Sequence, residues 1–193
     1  MLTQPLQSKF TIRDGHEVII ESGRLARQAD GSVTVRQGNC IILATVVANK
    51  EAREGQSFFP LSVDYQEKFA SAGRIPGSFF KREARLNDYE ILTSRLIDRA
   101  LRPLFPEDYL CDVQVLVSLV SSDPEVMPDA LACLAASAAL AVSDIPIQEI
   151  ISEVRVGRVN GEMIINPTRS QMANSDFEFI IAATYKNIMM VEG

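Results

Sequence analysis

Residues 73 to 85 read GRIPGSFFKREAR and set two adjacent aromatic rings directly before a cluster of cations. Flat rings offer faces on which any base can stack, and guanidinium or ammonium groups track phosphates. Phe79, Phe80, Lys81, Arg82 and Arg85, with Arg74 ahead of them, are therefore the residue types that grip single-stranded nucleic acid. Glycine and proline punctuate the stretch, which predicts a surface loop over residues 69–86 rather than two phenylalanines tucked into a core. Further on, Arg95, Arg99 and Arg102 stand at i, i+4 and i+7 of a predicted helix and share one of its sides. That spacing serves anion binding and salt bridges to Asp98 or Glu107 equally well.

Other chemistries find little support. His16 is the single histidine, so no zinc site and no histidine base for a serine nucleophile can be assembled. No glycine-rich loop has the spacing that cradles a nucleotide phosphate. Asp123, Glu125 and Asp129 are close in sequence, but they read as a proline turn and the start of a helix. Asp176 and Glu178 alternate with phenylalanines and read as the solvated face of a strand. Neither acid group is a strong metal signal on its own. Cys40, Cys111 and Cys133 each lie in an apolar run and read as small buried hydrophobes in a reducing compartment.

The chain has 193 residues, 47% of them hydrophobic, and a formal net charge of -6. Residues 66–105 nevertheless carry eight Lys/Arg against five Asp/Glu, while the remainder carries eleven against twenty. A polyanion is admitted at the first region and repelled by the rest. No apolar run is long enough to cross a bilayer and the start lacks an export signal, so a cytoplasmic location is expected.

The elements that must hold the basic stretch follow from pattern. Alternation over 16–21, 32–36, 40–48 and 61–65, with turns at Asp30-Gly31 and Gln37-Gly38-Asn39, predicts an antiparallel meander and a further strand. A helix should start at Asn87, with Glu90 completing a capping box, bury a stripe of Leu92, Leu96 and Ala100, and stop at Pro103. Residues 112–121 predict a central strand, and Pro128-Asp129 opens a small-residue helix able to lie close to a sheet. Strands over 153–159 and 162–165 across Asn160-Gly161, and over 177–182 and 188–191, complete an α+β chain.

The run FFPLSVDYQEKFASAGRIPGSFFKREARLNDYEILTSRLIDRALRPLFPEDY resembles the first RNase PH-type core of the bacterial polynucleotide phosphorylase (polyribonucleotide nucleotidyltransferase) family. AGRIPGSFF and RLIDR with RPLFP carry the likeness most specifically, and it extends over the whole chain. It implies an RNase PH-like core of mixed β-sheets with packed helices, one domain over residues 1–193. That core would be the first of a several-fold longer chain, ending before its own last helix.

The resemblance also implies a function: phosphorolytic 3′-to-5′ degradation of single-stranded RNA to nucleoside diphosphates by a homotrimer, in the company of RNA-degradation partners. In that family the loop matching Phe79-Phe80-Lys81-Arg82 lines the constriction of a central channel. Two departures stand out. Lys81 replaces the usual arginine and loses its planar fork. Glu125-Val126-Met127-Pro128-Asp129 stands where an active core has a serine-rich phosphate turn, with Glu178 and Met172 at the positions of paired aspartates. This core is expected to be silent, with Mg²⁺ held by a second core absent from this chain. Two other readings are a free-standing RNase PH-like or exosome-type subunit, and a non-enzymatic interaction domain.

Overall fold

A computed structural model describes residues 4–12, 15–77 and 85–193. Phe79, Phe80, Lys81 and Arg82 lie outside the described residues. The first sheet has six strands: β1 (Leu6–Thr11), β2 (Glu17–Ser22), β3 (Gly31–Gln37), β4 (Cys40–Ala48), β5 (Leu61–Glu67) and β6 (Val113–Ser121), in the order β1-β2-β3-β4-β6-β5. β2, β3 and β4 form the expected antiparallel meander, β1 adds to it antiparallel to β2, β6 runs antiparallel to β4, and β5 lies parallel to β6 at the edge. The second sheet, antiparallel throughout, has the order β10-β9-β7-β8, from β7 (Ser152–Val159), β8 (Glu162–Ile165), β9 (Glu178–Ala183) and β10 (Ile188–Glu192). Asn160 and Gly161 turn the β7–β8 hairpin with φ of 52° and 82°, the pair of positive values a type I′ turn demands.

Helix α1 (Asp88–Leu101) crosses from β5 to β6, as a parallel pair requires, and lies against β5. Its N-terminus carries the expected capping box, Asn87 with Glu90. The buried face differs from the aliphatic stripe: Leu92 is exposed, while Glu90, Thr93, Ser94, Ile97, Ala100 and Leu101 turn inward. The reason lies in β5. As an edge strand it leaves backbone N–H groups unpaired, and α1 meets them with side-chain acceptors. Tyr65 N–H donates to Ser94 Oγ at 2.9 Å and Glu67 N–H to Glu90 Oε1 at 2.7 Å.

Helix α2 (Asp129–Ala141) lies between the sheets, touching β3, β4 and β6 of one and β7 of the other. It is buried almost all round, which its alanines and its Ser137 permit because they let backbones approach closely. Pattern missed two elements. All six residues of β1 are exposed, so its sequence carries no clear alternation, and α3 (Arg169–Met172) is a single turn marked only by a Thr168–Gln171 capping box. Cys40 and Cys133 are buried as expected, but Cys111 is only partly so.

Gly31 begins β3 against the C-terminal end of α2, where a β-carbon would overlap the Ala139 carbonyl oxygen and press on Val46 and Ser143. Gly31→Ala should cost about 1–3 kcal/mol by overpacking, read as a lower urea midpoint with an unchanged slope.

Candidate nucleic-acid interface

The basic stretch leaves β5 through a single 3-10 turn, Phe69–Ala72, closed by Gly73 in the left-handed conformation at φ 65°. This turn is tied to the far end of β6 by Ser122 N–H donating to the Ser71 carbonyl at 2.9 Å. The stretch re-enters structure at Asn87. Both ends are thus fixed to the first sheet and α1, and the described residues between them are mostly exposed.

The structure divides the predicted arginines into two groups. Arg74, Arg85 and Arg95 are exposed and make no ion pair or side-chain hydrogen bond among the described residues. Arg95 rises from the solvent face of α1 beside the exposed Ile91 and Leu92. Arg99 and Arg102 are engaged. Arg99 pairs with Glu192 of β10 at 2.6 Å, both side chains about half exposed. Arg102 grips Asp98 at 2.5 Å and donates to the carbonyls of Phe59 and Leu61, with its guanidinium 5.8 Å from the Phe59 ring centre. Of the two acids considered as salt-bridge partners, Asp98 is used and Glu107 is not. Arg102 therefore holds the helix end to the start of β5.

The acids of the 123–129 turn are likewise spoken for. Asp123 accepts from the amides of Glu125 and Asn39, and these bonds hold its carboxyl below the ordinary range. Glu125 accepts from the hydroxyl and amide of Ser170, which lower its own carboxyl. Between them lies a cavity of about 180 Å³, lined also by His16, Gln37, Met127 and Thr168. A phosphate entering it would meet two ionised carboxylates.

Arg155 of β7 is the residue that sequence reasoning missed. Its guanidinium bridges Asp129, at the start of α2, and Glu178, at the start of β9, with the Asp129 and Arg155 side chains 3% and 11% exposed. Glu178 is half exposed, as alternation suggested, but it is also ion-paired, in a bridge that ties the second sheet to α2. Asp176, exposed, pairs instead with Arg158 at 2.8 Å. Glu153 shares the face of Arg155 and is 2% exposed. Burial, with Asp129 adding repulsion, pushes its carboxyl up to about 8. The alternation in SEVRVGRV was legible, but it turns Glu153 and Arg155 inward and leaves Val154 and Val156 half-buried. That inversion becomes visible only with Asp129 of α2 in place.

Comparison with known proteins places this geometry. The family model described as 3′ exoribonuclease family, domain 1, matches residues 14–146, and the model for domain 2 of the same family matches residues 149–193. Polyribonucleotide nucleotidyltransferase of Cytophaga hutchinsonii is 61% identical over 97% of this chain, and that of Bacteroides fragilis is 57% identical over 100%. The chain spans about a quarter of the length of these relatives, 26% and 27%. Among solved structures, a chain of the Archaeoglobus fulgidus exosome with RNA bound to the active site aligns with a TM-score of 0.73 at 17% identity, covering 94% of this chain and 81% of its own. Rice (Oryza sativa) Rrp46 aligns with a TM-score of 0.71 at 15% identity over 100% of this chain and 80% of its own. The α+β fold is that of RNase PH.

Two outcomes follow from the bridge. Arg155→Ala leaves Asp129 buried without its cation and should cost about 3–5 kcal/mol in urea unfolding. Glu153 titrates at 4.5 when unfolded and about 8 when folded, so the folded state holds the extra proton between those values. Stability therefore falls as pH rises from 4.5 to 8. Glu153→Gln should melt higher than wild type at pH 8 and show a shallower fall between pH 5 and 8.

Proposed function

Because this chain belongs to the 3′ exoribonuclease family, we propose that its 193 residues form one domain, the RNA-gripping first core of a longer phosphorolytic exoribonuclease. The whole enzyme works in the cytoplasm as a homotrimer, removes nucleotides from the 3′ end of single-stranded RNA, and releases nucleoside diphosphates. The observation that carries this reading is the set of exposed cations Arg74, Arg85 and Arg95, which have no ion-pair partner among the described residues. They flank Phe79-Phe80-Lys81-Arg82 in a chain otherwise rich in acid. Aromatic faces beside free cations bind a single strand with little sequence preference, and the acidic remainder confines the strand to that region.

In this reading the core is catalytically silent. The turn 125–129 offers Glu125 and Asp129 where an attacking phosphate needs neutral or positive donors. A divalent ion, Mg²⁺ in this proposal, does not fit the donors of this chain. Asp129 and Glu178 are committed to Arg155, and the described residues hold no group of three or more His, Cys, Asp or Glu placed to bind a metal. The metal and the chemistry belong to the second core, and this one supplies grip. Recruitment into an RNA-degradation assembly is part of the same proposal.

Single-strand RNA binding at several salt concentrations tests the reading. Each lost phosphate contact among Lys81, Arg82, Arg85 and Arg95 should reduce the slope of log affinity against log salt by about 0.7. Phe79→Ala or Phe80→Ala should cost on the order of 1–3 kcal/mol with the slope nearly unchanged. Arg102→Ala should lower the melting temperature instead, because its carbonyl contacts are structural. Charge variants that keep the wild-type slope would overturn the reading. So would release of nucleoside diphosphate from poly(A) and phosphate by these 193 residues alone.

A further inference from the structure

We propose that Glu90 is a positioning residue for the nucleic-acid loop, its buried carboxylate fixing the two ends of residues 68–86 relative to each other. This rests on the reading of that loop as the RNA grip. Glu90 is 6% exposed. Its Oε2 accepts from Asn87 N–H at 2.7 Å, where the loop ends, and its Oε1 accepts from Glu67 N–H at 2.7 Å, where the loop begins. Its own amide donates to Asn87 Oδ1 at 2.9 Å. Its carbonyl accepts from Ser94 Oγ at 2.8 Å, and that hydroxyl accepts from Tyr65 N–H at 2.9 Å. One side chain thus joins the last residue of β5 to the cap of α1.

A capping box needs only one acceptor at this position, and glutamine serves it as well as glutamate. Burying a carboxylate is costly, and here Glu67 lies close by, its own carboxyl pushed up by burial and by the charge of Glu90. An uncharged glutamine would hold the helix start without that penalty. The two amides that converge from opposite ends of the loop, however, each meet a different oxygen, and only the carboxylate offers two. The second oxygen is redundant for the helix and necessary for the loop. With Ser71 held by Ser122, the outgoing segment is fixed as far as Gly73, and Glu90 sets where the returning segment, with Arg85, comes back.

Glu90→Gln in the full-length enzyme separates these roles, because the amide can still cap α1 but faces one of the two N–H groups with an NH₂. Amide hydrogen exchange, melting temperature, and the kinetics of long single-stranded RNA are compared with wild type and with Lys81→Ala/Arg82→Ala. Exchange at Glu67 should accelerate about tenfold, the loss of one hydrogen bond to a charged acceptor, while the core amides of β4 and β6 stay protected. The KM for long RNA should rise several-fold with kcat little changed. Wild-type KM in Glu90→Gln, beside a raised KM in Lys81→Ala/Arg82→Ala, would overturn the positioning role alone. Faster exchange throughout the core, in step with lost RNA binding, would also overturn it by making Glu90 merely structural. If Lys81→Ala/Arg82→Ala itself binds RNA as wild type does, the loop reading fails and the role assigned to Glu90 falls with it.

Discussion

The close approach of α2 to two sheets at once is the constraint on which the rest of this structure depends. A helix can lie in so narrow a slot only if its side chains are small, and Ala132, Cys133, Ala135, Ala136, Ser137 and Ala139 are all fully buried. So little side chain leaves few interlocking contacts, and polar bonds supply the direction that packing does not. Ile151 N–H donates to Ser137 Oγ at 3.0 Å, bringing the chain into β7 at a defined point on the helix. Asp129 at the other end fixes Arg155, and Arg155 fixes Glu178. A buried ion pair is weak evidence of net stability, but it specifies which of two strand faces turns inward.

The same economy governs the arginines. A cation that must hold structure is given a carboxylate and backbone carbonyls, as Arg102 is. Arg95, exposed on the same helix, has neither among the described residues. The helix carries both kinds four to seven residues apart, so engaged and solvent-facing charge lie along the same side of it.

Much of this was legible in the sequence. Alternation and turn residues located β2, β3, β4, β6 and the β7–β8 hairpin, because local backbone geometry dictates those patterns. The Asn87–Glu90 capping box was readable for the same reason. What pattern could not supply was the identity of partners far away in sequence. Counting aliphatic residues put Leu92 inside α1. The actual inward face is chosen by the unpaired edge of β5, 23 residues earlier at the Glu67–Glu90 bond. The two kinds of arginine also look alike until Glu192 and the carbonyls of Phe59 and Leu61 are brought beside them.

The position of β6 between β4 and β5 has a consequence for synthesis. Strand β4, CIILATVVA, finds its second neighbour only when Val113–Ser121 has been made, some tens of residues later. At about 5–20 residues per second, the nascent chain spends on the order of several seconds with one edge of its most apolar strand open. An open, flat, uncharged edge is a template for pairing with another chain. The distance between β4 and β6 along the polypeptide therefore sets an interval of aggregation risk on the ribosome, which slower translation lengthens and a chaperone held over residues 40–48 would cover.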